Sequence, residues 1–249
     1  MCELFGICAN KKYVLNDWLK EFYSHSVKHP DGWGLALFEY GVNVEKEPIR
    51  AKDSAYLRKR LSTELSAEVA LGHIRLASVG KLIYDNCHPF VRRDNSGRVW
   101  TLMHNGTIFT DVLDSYKENQ VGTSDSERIL MYLMDKMNEK VKEVGHSLSK
   151  EERIEVVEKV ILKIVPNNKV NLIFYDGEYY YVHTNCEGTL YRRAIEEGVV
   201  LATVPLDKAE WSPVKMNTLL VLEAGKQVYT GSSHEYYYVK KKRIERLKN

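Results

Sequence analysis

Cys2 follows Met1 directly, and the chemistry open to a cysteine at that position sets what the rest of the chain must supply. A cysteine side chain is small enough for Met1 to be trimmed, which leaves Cys2 as the mature N-terminus. Its thiol is a strong nucleophile only as thiolate, with an unperturbed pKa of ~8.5. Its own α-amine titrates at ~7.7–8.0 and is partly a neutral base near neutral pH. Nucleophile and base then belong to one residue, and no histidine is required. The alternative is a buried structural cysteine opening a strand, since free cysteine is among the most buried residue types. Attack of a thiolate on an amide creates an oxyanion, which needs preorganised donors. Asn105-Gly106 offers a side-chain amide and a backbone N–H at adjacent positions. The same pair also suits a plain type I′ turn. Arg75 offers a planar fork that matches a carboxylate, or is a surface arginine at a strand end. Asp125 is an anion that could meet an ammonium, or one that simply favours a helix N-terminus.

These residues stand in a fixed order of short motifs. His29-Pro30-Asp31-Gly32-Trp33-Gly34 comes after Cys2, followed by Gly72-His73-Ile74-Arg75-Leu76-Ala77-Ser78 and Asn86-Cys87-His88-Pro89-Phe90. His104-Asn105-Gly106-Thr107 and Thr123-Ser124-Asp125-Ser126-Glu127 complete the series. In this order, with cysteine at position 2, the chain resembles the class II glutamine amidotransferases, which are N-terminal-nucleophile hydrolases, and in particular their small, stand-alone members. The motifs run from residue 2 to about residue 130, and the strand pattern extends the likeness to about residue 230.

The resemblance implies a four-layer αββα sandwich with two antiparallel sheets. It implies Cys2 as nucleophile and Asn105 with Gly106 as the oxyanion hole. It gives the α-carboxylate of glutamine to Arg75, with Ser78 as a lesser contact, and the α-ammonium to Asp125. No cofactor and no metal are implied. The substrate would be glutamine or another γ-glutamyl compound, and a separate synthase or acceptor protein could use the ammonia. Two departures stand out. Lys28-His29 occupies the place of an arginine-glycine pair in many relatives, and Val79 stands where some relatives carry histidine. His88 is expected to orient the pocket loop rather than to act as a base.

The elements that must hold these residues follow from periodicity. Residues 2–9 form a short apolar run free of proline and read as a buried strand. Leu15, Trp18, Leu19 and Phe22 are spaced as one face of a helix over residues 16–23. Strands are expected over 34–40, 42–49, 68–74 and 98–104, with a short helix over 55–61. Ser124-x-x-Glu127 and Ser149-x-x-Glu152 are capping-box patterns that open two amphipathic helices, to about residues 138 and 164. Asp176-Gly177 is a hairpin signal between strands over 170–175 and 178–183. Further strands are expected over 190–193, 199–202, 218–223 and 226–229. From these elements alone the chain reads as α+β, one domain over residues 2–249, with a basic tail at 240–249.

Composition removes other functions. A net charge of +2 over 249 residues argues against nucleic acid. The basic cluster Lys240, Lys241, Lys242, Arg243, Arg246 and Lys248 reads as a solvated terminal stretch. Cysteines at 2, 8, 87 and 186 are too widely and irregularly spaced for a disulfide framework or a metal knuckle, which suggests reducing cytoplasm. No signal peptide and no apolar stretch near the ~20 residues of a membrane span is expected. There is neither a P-loop nor a dinucleotide fingerprint. Three readings remain: a glutamine amidotransferase or glutaminase, a γ-glutamyl hydrolase acting on a γ-glutamyl peptide or thiol metabolite, and a non-catalytic γ-glutamyl-ligand binding module. The intact Cys2, Asn105 and Gly106 count against the last.

Overall fold

The structure is a computed structural model that describes residues 2–239. Met1 and the basic tail at 240–249 lie outside the described residues. The first sheet holds β1 (Glu3–Val14), β2 (Trp33–Phe38), β3 (Val42–Glu47), β4 (Ser66–Ile74), β9 (Tyr191–Ile195), β10 (Gly198–Ala202) and β11 (Ser212–Pro213). Their order is β11-β9-β10-β1-β4-β2-β3. The second holds β5 (Phe90–Arg93), β6 (Val99–His104), β7 (Leu172–Tyr175), β8 (Tyr180–His183), β12 (Leu220–Glu223) and β13 (Lys226–Thr230), in the order β13-β12-β8-β7-β6-β5. Every pairing described within the two sheets is antiparallel.

Three apolar layers explain why the sheets stack. Helices α1 (Asn16–Ser24) and α2 (Ala55–Arg60) cover the first sheet, with Leu19, Phe22 and Leu57 packed on Phe5, Ile7 and Trp33. Helices α3 (Asp125–Val144) and α4 (Lys150–Ile164) cover the second, with Leu133, Met137 and Ile161 on Trp100, Phe174 and Tyr181. Between the sheets lie Leu4, Cys8, Leu71, Met103, Ile173 and Tyr180. β1 therefore buries both faces, which is why residues 4–9 are apolar without alternation. Gly6 belongs to this middle layer, where a Cβ would overlap the Tyr180 hydroxyl. The result is the expected αββα order.

Several local expectations change. α3 runs to Val144, six residues beyond the expected end near Asn138, and stops at Gly145 in the left-handed region (φ 76°). Ser149 and Glu152 form the capping box reciprocally. Ser124 caps α3 but accepts from Ser126 N, and Glu127 does not reach back to it. The Glu127 carboxylate instead accepts from Val121 N, Gly122 N and Arg92. Strand β5 and the two-residue β11 were not expected. No helix among the described residues is long and apolar enough to cross a membrane.

Candidate active site

The β1–β4 register pairs Glu3 with Ile74, so Cys2 lies beside the residues that follow β4. The Cys2 thiol donates to Leu76 O at 3.6 Å. Burial pushes this thiol's pKa above its usual value, while the positive side chains of Arg75 and Lys169 pull it back. Glu3 is gripped from the other side: His25 Nδ1 is 2.7 Å from its Oε2, and His29 Nε2 is 3.6 Å from its Oε1. The segment that carries the Lys28-His29 departure from the family pattern thus holds the residue next to Cys2. Its Asp31 accepts from Ala77 N at 2.7 Å and so fixes the segment after Arg75.

Asn105-Gly106 comes from the other sheet, at the end of β6. Asn105 N donates to Asn171 O at 2.9 Å, and Thr107 and Lys169 pair as an isolated bridge. Neither Asn105 nor Gly106 has positive φ. A type I′ turn requires it at both central residues, so the turn reading fails. Glycine is needed at 106 for another reason: a Cβ there would overlap Lys169 O and His104 Nε2. His104 bridges Ser126 Oγ (3.0 Å) and Lys169 O (3.1 Å), which seats this strand end on α3.

Thr203, just after β10, ties the two sheets together here. Its hydroxyl accepts from Leu4 N at 2.8 Å, and Asn105 Nδ2 approaches it at 3.5 Å. On the far side of the amide, Lys169 Nζ donates to Asn105 Oδ1 at 3.2 Å.

The residues proposed from sequence for the amino-acid head surround this pair. Arg75 is buried, and its guanidinium donates to Val79 O (2.9 Å) and Lys81 O (3.1 Å), shaping the 79–81 loop. Ser78 Oγ lies 3.0 Å from Thr107 Oγ1, which itself donates to Gly106 O at 2.7 Å. Asp125 is buried and accepts from Ile108 N at 2.8 Å through Oδ2. It does not cap α3, because Ser124 does. Cys2, Arg75, Ser78, Asn105, Gly106 and Asp125 therefore converge through short chains of hydrogen bonds on one end of the sandwich. His88 lies beneath, stacked on His73 with ring centroids 4.0 Å apart. Burial holds His88 well below the usual histidine range, so it is neutral and no reservoir of protons. A cleft of about 540 Å³ lined by Phe38, Val42, Arg98 and Tyr175 lies at the opposite end and shares none of these residues.

Sequence reasoning missed Lys169, Thr203 and Thr107. Lys169 follows two asparagines and looks like any exposed lysine before a strand. Only the pairing of residue 169 with residue 107, 62 positions earlier, brings it inside.

A family profile for class II glutamine amidotransferases matches residues 1–195. The chain is 31% identical over 264 residues to the uncharacterized protein MJ1515 of Methanocaldococcus jannaschii, spanning 92% of this chain and 71% of that one. It resembles the crystal structure of a predicted glutamine amidotransferase from Pseudomonas aeruginosa with a TM-score of 0.63 at 22% identity, over 92% of this chain and 100% of that one. It resembles the glutamine phosphoribosylpyrophosphate amidotransferase of B. subtilis with a TM-score of 0.68 at 18% identity, over 92% of this chain but only 48% of that one. At such identities the two structures speak for the fold alone. With the profile covering most of the chain and the ordered motifs meeting at one end of such a sandwich, the chain belongs to the class II glutamine amidotransferases.

Proposed function

We propose that this chain hydrolyses the γ-amide of glutamine through a thioester on Cys2. The observation that carries the reading is that Thr203 accepts from Leu4 N, two residues from the Cys2 thiol on one sheet, and is approached by the amide of the Asn105-Gly106 pair from the other. In this reading the Cys2 α-amine takes the thiol proton, and the resulting thiolate attacks the γ-carbonyl carbon. The resulting oxyanion is held by Asn105 Nδ2–H and Gly106 N–H. The C–N bond breaks, and the leaving nitrogen takes a proton from the Cys2 α-ammonium and departs as ammonia. The α-amine then removes a proton from water, which attacks the thioester and releases glutamate and the free thiol. Arg75 and Ser78 hold the α-carboxylate, and Asp125 holds the α-ammonium. Binding a carboxylate at Arg75 exchanges neutral carbonyl partners for a charged one, which makes a stronger hydrogen bond. A separate acceptor protein in the cytoplasm would use the ammonia.

Purified protein assayed with glutamine, a panel of γ-glutamyl compounds and N-acetyl-glutamine tests this. Release of ammonia and glutamate from glutamine is expected, with N-acetyl-glutamine poor. Turnover confined to γ-glutamyl peptides would make the chain a γ-glutamyl hydrolase. No turnover of any γ-glutamyl compound would leave only a binding role. Equal cleavage of N-acetyl-glutamine would show that the amino-acid head is not read. Mass spectrometry of the active protein should show Met1 lost, because an acylated amine is no base.

A further inference from the structure

We propose that Lys169 is a positioning residue: its Nζ fixes which way the Asn105 amide faces and so presents Nδ2 as the oxyanion donor. A lysine side chain carries only hydrogen-bond donors, whereas an asparagine amide carries an acceptor at one end and donors at the other. Lys169 Nζ lies 3.2 Å from the Asn105 amide, so the end facing it must be the oxygen. Nδ2 is then turned the other way, towards Thr203 Oγ1 at 3.5 Å, a distance too long to hold it firmly. The amide is thus anchored at its oxygen and only loosely engaged at its nitrogen. That suits a donor that must keep its hydrogen for a transient partner.

The anchor is itself well built. Lys169 is buried, with 2% of its surface exposed. Its backbone N donates to Thr107 O at 3.2 Å, and its carbonyl accepts from Thr107 N at 3.0 Å and from His104 Nε2 at 3.1 Å. The only residue that lets these contacts close is glycine at 106. Its side chain also carries one of the positive charges that, against the larger effect of burial, ease ionisation of Cys2. One lysine therefore holds the Asn105 amide and adds to the positive potential around Cys2.

Two substitutions separate orientation from charge. Lys169→Met keeps the length and removes the donor. Lys169→Gln keeps a neutral donor for Asn105 Oδ1. In spectra of the ¹⁵N-labelled protein, the Asn105 side-chain amide is identified by its absence from Asn105→Ala. In Lys169→Met its shift should move and its protection from exchange should fall, with Lys169→Gln retaining most of both and the rest of the spectrum unchanged. An unmoved Asn105 amide in Lys169→Met overturns the proposal. Only the kinetic arm rests on the glutamine-hydrolysis reading. There, Lys169→Met should lower kcat at least tenfold with KM little changed, and Lys169→Gln should recover much of the loss. The double variant with Asn105→Ala should be no slower than Asn105→Ala alone. Full additivity of the two losses would assign Lys169 to the thiol rather than to the amide and overturn the proposal. A parent protein that cleaves no γ-glutamyl compound would sink the proposed function, and the spectra would still decide on Lys169.

Discussion

In the proposed mechanism, removing the Asn105 side chain deletes one donor to the transition state and leaves the ground state nearly untouched. Asn105→Ala should lower kcat by about 10²–10³-fold with little change in KM. A fall in thermal stability with full activity in the folded fraction would make Asn105 a structural residue only. Cys2→Ala should abolish turnover and leave the melting temperature unchanged. The other three cysteines are buried, and burial lifts Cys8 and Cys87 to about 11, so they are poor nucleophiles at neutral pH. Single replacement of each by alanine or serine should leave kcat near that of the parent. For the amino-acid head, Arg75→Ala should lower kcat/KM by roughly 10²-fold or more, because an opposite charge in the bound substrate loses its partner. Asp125 needs a subtler probe, since its Oδ2 also accepts from Ile108 N. Asp125→Asn keeps an acceptor for that N–H and removes the charge. It should fold normally, lose kcat/KM for glutamine by a similar factor, and lose much less for N-acetyl-glutamine.

At the level of elements, Ser149→Ala removes a cap that is reciprocated by Glu152, and should cost about 1 kcal/mol in a denaturant titration. Gly106→Ala should be far more damaging than a glycine-to-alanine change in an open turn, because it drives a methyl group into Lys169 O and His104. Most strands and all four α-helices of the described residues were legible, since their apolar spacing reports burial directly. What was not legible depended on partners distant in sequence. Ser124-x-x-Glu127 has the same local pattern as Ser149-x-x-Glu152, yet Arg92 of β5 and the N–H groups of Val121 and Gly122 claim Glu127. Asn105-Gly106 has the local pattern of a hairpin turn, yet pairing with the segment at 169–171 keeps it out of that turn. The ordered motifs pointed to Cys2, Arg75 and Asp125 as candidates. Lys169 and Thr203 belong to no motif, and only the register of β6 against its neighbour and the contact of β10 with β1 bring them to the site.

For the molecule as a whole, buried imidazoles shape the response to acid, His73, His88, His104 and His183 all being lowered by burial. Burial lowers His73 and His183 from the usual 6.5 to about 3, and holds His88 well below its usual range. In the unfolded chain these groups take up protons below about pH 6.5, while the folded chain resists until much lower pH. Their contribution to stability is therefore fully present above pH 6.5 and is lost progressively as pH falls towards about 3. Thermal melts from pH 7.5 to 5 should show a falling midpoint with proton uptake on unfolding. His183→Asn should flatten that dependence by up to one proton, and an unchanged slope would contradict the buried neutral state. The two-sheet origin of the site has a different consequence. Cys2 directly precedes β1 of one sheet and Asn105 directly follows β6 of the other, so in the proposed mechanism the gap between attacking sulfur and oxyanion donor is a spacing between sheets, set like the jaws of a calliper by the side chains between them. Met103 sits two residues before Asn105 in that filling. Met103→Leu, nearly equal in volume, should leave the jaws in place. Met103→Ala should cost about 2–5 kcal/mol of stability and also slow kcat in the fraction that stays folded, although no atom of Met103 is placed among the reacting groups. In this architecture rate can be tuned from the middle of the sandwich, by the thickness of its filling.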